Sequence, residues 1–71
     1  MKIEVSDPTL VEDLIGHLNR FDLLVSRTGE RTLDARFGWP LREDAAGLEL
    51  DLYLRVWEVG HPSARAIRVG S

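Results

Sequence analysis

The run from Arg42 to Pro62, REDAAGLELDLYLRVWEVGHP, constrains this chain's fold more than any other stretch, because it allows two incompatible readings. From Leu48 to Val56, apolar and mostly polar residues alternate over nine positions, the pattern of a half-buried strand. The flanks point to a helix instead. Glu43 and Asp44 would place two carboxylates in a first turn, where the helix dipole favours them. Gly60 suits a left-handed C-cap, with Pro62 just beyond it. Leu, Glu and Arg are good helix formers, and Val56 is the one β-branched residue between Leu48 and Val56.

Winding the run at roughly 100° per residue gathers Asp44, Asp51, Arg55 and Glu58 into one narrow polar stripe. Opposite charges then stand three and four positions apart, close enough to pair. Ala45, Leu48, Leu52, Val56 and Val59 form one apolar face, and Ala46, Leu50, Tyr53, Leu54 and Trp57 form a second. Glu49 alone separates the two. The spacing therefore predicts a helix with more apolar surface than packing on a sheet requires.

The rest of the chain is easier to read. Met1 to Val5 is a short strand, with Ile3 and Val5 on one side and Lys2 and Glu4 on the other. Ser6 or Asp7 can cap a helix that has Pro8 in its first turn, and Leu10, Val11, Leu14, Ile15, Leu18 and Phe21 follow at helical spacing. Two strand-like runs, near Asp22 to Arg27 and Arg31 to Phe37, flank Thr28-Gly29-Glu30, where Gly29 would supply the positive φ of a tight turn. Pro40 can open the next element, and Ala64 to Val69 is a last short strand. The predicted order is β-α-β-β-α-β, a four-stranded antiparallel sheet with two helices on one face. The alternative is β-α-β-β-β-β with one helix, its last hairpin closing through Gly60-His61-Pro62-Ser63.

That order and length resemble the small ferredoxin-like domains, including ACT-type regulatory modules and metallochaperone-like domains. The resemblance spans essentially the whole chain and lies in topology, not in a motif of residues. The Cys pair of the metallochaperone type is absent. The ACT-type likeness implies dimerisation through sheet edges or helices and a small ligand at the interface, and it matches no particular residue here. The segment DLYLRVWEVGHP also resembles the C-terminal parts of small uncharacterised bacterial proteins, which implies no activity.

Length and composition narrow the functional classes. A chain of 71 residues forms one domain. Such a domain hides only about 60% of the surface its unfolded form exposes, so its core is thin. With no Cys there is no disulfide, and His17 and His61 have no metal-ligand spacing. Self-association or docking on a larger partner is the expected source of extra stability. The net charge is −3 and the basic residues are scattered, which argues against a phosphate backbone as ligand. The outer sheet face is predicted to carry Lys2, Glu4, Thr32, Asp34, Arg36 and Arg68, with Leu24 and Ala66 from the edge strands, and no stacking aromatic. No apolar run approaches membrane-spanning length and no signal-peptide core is visible, so a cytoplasmic protein is expected.

Candidate chemistry is sparse. His17 could act as a base only with a nucleophile and an orienting carboxylate beside it. His61 suits the negative end of the second helix. Gly29, Gly38, Gly47 and Gly60 are isolated and read as turn, breaker or cap residues, not as a phosphate loop. No catalytic, cofactor or metal residue is assigned. The sequence instead predicts a partner surface made of Leu50, Tyr53, Leu54 and Trp57, with Trp39, to the extent that these residues do not simply touch the first helix. The expected function is a non-enzymatic interaction or regulatory module, working as a homodimer or as a small subunit of a larger assembly. An ACT-like sensor of a small ligand is the alternative, and a small enzyme of the dimeric ferredoxin-like barrel type using His17 or His61 is the next.

Overall fold

The structure, a computed structural model, describes residues 1–69. Its strands are β1 (Lys2–Val5), β2 (Leu23–Arg27), β3 (Thr32–Phe37) and β4 (Ala66–Val69), and its helices are α1 (Val11–Asn19) and α2 (Glu43–Gly60). They follow in the order β1-α1-β2-β3-α2-β4, with a short 3-10 turn, Pro8–Leu10, ahead of α1. The run with two readings is thus a helix of 18 residues.

The sheet order is β2-β3-β1-β4, and every neighbouring pair is antiparallel. Each β-α-β unit is therefore split by a strand of the other: β3 lies between β1 and β2, and β1 lies between β3 and β4. Alternation along the inner strands sends Ile3, Val5, Leu33 and Ala35 to one face, where all are fully buried. The helices cover that face with Val11, Leu14 and Leu18 from α1 and Leu50, Leu54 and Trp57 from α2.

Asp7, not Ser6, opens the first helical segment. Its Oδ1 accepts from the Thr9 amide at 2.9 Å and from the Thr9 hydroxyl at 2.7 Å. These two bonds, the hydroxyl's first, hold the Asp7 carboxyl below its ordinary pKa. Ser6 ties β4 to β1 instead: its hydroxyl accepts from the Arg65 amide at 2.8 Å, and its own amide donates to the Arg65 carbonyl at 2.9 Å. α1 ends before Phe21, and Asp22 turns the chain into β2 with φ 64°, a left-handed conformation that Asp tolerates better than most residues.

Three local expectations are corrected. Gly29 does not take a positive φ; its lack of a Cβ matters because that atom would sit about 2.5 Å from the Thr32 hydroxyl oxygen. The turn is held by Arg27, which donates to the Gly29 and Glu30 carbonyls at 3.0 and 2.7 Å. Gly60 is not a left-handed cap either. The helix runs through it and ends at His61, whose Nδ1 donates to the Trp57 carbonyl at 2.9 Å and so satisfies one of the last free acceptors. Gly47, read as a breaker, lies buried inside α2.

The last strand is also shifted by one residue against expectation. β4 pairs Ala66 with Val5 and Arg68 with Ile3, so both point toward the helices, while Ile67 and Val69 share the outer face with Glu4 and Lys2. Paired residues face the same way in an antiparallel ladder, so a one-residue slip inverts a whole strand. The slip is fixed from outside the strand: Glu58 of α2 accepts from the Ala66 amide at 2.8 Å, and Arg55 donates to the Ala66 carbonyl.

Candidate functional site

α2 presents opposite faces to the core and to solvent, and the assignment of those faces differs from the expected one. Leu50 and Leu54 are fully buried and Trp57 is 2% exposed, so three of the five expected partner residues are core. Tyr53 is half-buried at the seam with α1, where its ring stacks on Phe21 at 4.3 Å. Its hydroxyl donates to Glu49 Oε2 at 2.9 Å, and that bond first, then desolvation, raises its pKa. Trp39 is partly exposed on the loop after β3, edge-on to Phe37 at 5.1 Å.

The face left in solvent is the other one. Leu48 is 71% exposed, Leu52 55%, Val56 52% and Val59 83%, at spacings of four, four and three residues along α2. The physical reason lies in what each face meets. Trp57 can bury its indole because its N–H reaches Asp13 Oδ1 on α1 at 2.8 Å, which removes the cost of an unpaired donor. Gly47 leaves room for the Arg68 side chain to cross α2 and reach Asp51. Neither partner is near in sequence.

The stripe has two unlike borders. Toward β4 stand Asp51 and Arg55. Arg68 forks onto Asp51 with Nε–Oδ1 at 2.8 Å and Nη2–Oδ2 at 2.9 Å. The fork lowers the Asp51 pKa and raises that of Arg68. Arg55 meets Glu58 through its Nε at 3.2 Å and the Ala66 carbonyl through its Nη2. Toward α1 stand Glu49 and Tyr53.

Beyond Val56 the stripe opens into a groove of about 360 Å³ between the helices, lined by Asp13, His17, Arg20, Val56, Trp57, Gly60 and His61. Both histidines of the chain line it. His61 stacks on the Trp57 indole at 4.3 Å and lies 3.1 Å from Asp13 Oδ1 through Nε2. His17 Nε2 donates to the Tyr53 carbonyl at 3.0 Å. Asp13 therefore joins both aromatic side chains of the α2 terminus to α1, and the arrangement works as a clasp between helices. Its lining contains no hydroxyl, thiol or amine that an imidazole could activate.

Among the described residues, no group of three or more His, Asp or Glu side chains is placed to hold a metal ion. No helix among them is long and apolar enough to cross a membrane. The outer sheet face exposes Leu24, Ile67 and a mix of Lys2, Glu4, Asp34 and Arg36. No family model, curated protein or solved structure matches this chain.

Proposed function

We propose that this chain is a non-enzymatic interaction module of the ferredoxin-like βαββαβ class that docks through the outer face of α2. The two interlocked split units, in the order β2-β3-β1-β4, support the fold class. One observation carries the docking: Leu48, Leu52, Val56 and Val59 form an unbroken apolar stripe on a helix whose opposite face already fills the core. A helix apolar on both sides retains surface that burial against a partner would remove from water. Placement in the cytoplasm belongs to the same proposal.

A photo-crosslinking side chain introduced at position 52 in the native cell tests the reading. A covalent adduct to protein is expected from positions 48, 52 and 56. Absence of any adduct from all three refutes docking through this face. A second reading, a small-molecule site, is favoured by the groove of about 360 Å³ that brings an Arg, two His and a Trp together. Its mark would be a thermal shift with a small anionic metabolite that His17→Ala and Arg20→Ala abolish.

A further inference from the structure

We propose that the occupant of the α2 stripe is a second copy of this chain, packed α2 against α2 in antiparallel order about a two-fold axis level with Leu52. The proposal rests on the docking role just given to that face and names its partner.

The stripe is symmetric about its own centre. Leu48 and Val56 lie four residues on either side of Leu52, and Ala45 and Val59 lie seven on either side. A two-fold axis at that level sets Leu52 against the partner's Leu52, Leu48 against the partner's Val56, and Ala45 against the partner's Val59. Such self-matching is what an isologous interface requires. The apolar contact then runs through most of an 18-residue helix, about 27 Å long at 1.5 Å per residue.

Charge selects the direction. In the antiparallel two-fold arrangement, the β4-side border of one helix meets the β4-side border of the other. Arg55 then comes within about 3 Å in axial height of the partner's Asp51, a two-residue offset. Both groups remain open to solvent on one side: the Asp51 side chain is 41% exposed and that of Arg55 is 54% exposed. Asp51 is held in place by the Arg68 fork, while Arg55 uses Nε and Nη2 within its own chain and keeps Nη1 unused in these bonds. A parallel pairing would turn the α1-side border toward the β4-side border and set Glu49 near the partner's Asp51, like charge against like. The antiparallel order sets the two Asp51 side chains, each forked by its own Arg68, at the same offset of about 3 Å, but it alone adds two crossed Arg55–Asp51 ion pairs, which the parallel order lacks.

The stripe has four exposed large side chains, far fewer than the roughly 20–30 residues that each side of a standard stable interface contributes. The dimer is accordingly weak and depends on concentration.

Sedimentation equilibrium of the purified chain, from micromolar to millimolar concentration, should show the mass rising toward that of two chains. Leu52→Glu, at a solvent-exposed position, should hold the chain monomeric with an unchanged thermal midpoint. Because the native chain has no Cys, single thiols report geometry cleanly. With oxidised glutathione as oxidant, Leu52→Cys should form a disulfide dimer with itself. Leu48→Cys and Val56→Cys should cross-link mainly when mixed, and Val59→Cys should not link to itself. A doubled mass that survives Leu52→Glu overturns the proposal, as does self-linking of Val59→Cys in preference to Leu52→Cys. A monomer at every concentration, together with an adduct from position 52 to a different protein in the cell, overturns the second copy and leaves the docking face standing. A monomer with no adduct overturns both.

Discussion

Gly47 offers a sharp test of how α2 is joined to β4. A glycine in the middle of a helix normally costs about 0.5–1 kcal/mol relative to alanine, so Gly47→Ala would ordinarily stabilise the protein. Here the added methyl group has no free place. A Cβ at position 47 would lie 2.7 Å from Arg68 Nη1, 3.1 Å from Cζ and 3.3 Å from Nη2. The guanidinium would have to move, and moving it opens the 2.8 and 2.9 Å bonds to Asp51. The helical gain and the lost fork oppose one another, so Gly47→Ala alone should leave the thermal midpoint nearly unchanged. In an Arg68→Ala background the obstacle is gone, and the same substitution should recover the full gain of about 0.5–1 kcal/mol. That gain corresponds to about 2–8 °C for a domain of this size. Urea unfolding of the four proteins in a double-mutant cycle measures the coupling. If Gly47→Ala stabilises equally in both backgrounds, the guanidinium does not cross α2 at Gly47 and the account fails.

Further outcomes follow from burial and charge. Leu54→Ala, at a fully buried position, should cost about 2–5 kcal/mol, while Leu48→Ala, at a position 71% exposed, should stay within about 0.5 kcal/mol; denaturant melts giving the reverse order would invert α2. Asp51 has its pKa lowered chiefly by its bonds to Arg68, so its stabilising contribution is present above the unfolded value near 3.9 and is lost as pH falls through the lower folded value. Asp51→Asn should therefore flatten the acid limb of the stability profile below about pH 4 and leave its slope at neutral pH unchanged. His61→Ala removes the side-chain bond to the Trp57 carbonyl, so the last turn of α2 should exchange its amide hydrogens faster while the β1 amides keep their protection.

Much of the scaffold is written locally. Alternation at Ile3 and Val5, the Asp7-Pro8 helix start and the hairpin around Thr28 need no knowledge of distant residues, and each forms close to where the pattern places it. α2 is a helix for reasons equally local, its acidic first turn and its helix-forming composition. What the sequence hides is which side of α2 faces inward. Two apolar arcs of similar strength differ little by periodicity, and the choice depends on Asp13, 44 residues from Trp57, and on Arg68 lying over Gly47. Two clues were legible: Gly47 and Ala46 mark a side that can be approached closely, and Trp57 is the largest apolar side chain on that side, with the most surface to gain from burial. The β4 register is hidden for the same reason, since Arg55 and Glu58 of α2 fix it at Ala66.

Those bonds at Ala66 have an effect beyond register. β2 and β4 are the two outer strands, and the free backbone groups of an outer strand are a template on which foreign chains can grow. At Ala66 both groups are taken: the amide donates to the Glu58 carboxylate and the carbonyl accepts from the Arg55 guanidinium. With only four residues in β4, two plugged groups blunt much of that border. Ala66 is thereby closed to an added strand, and the closure is made by an ion pair that a helix extends over the edge of the sheet.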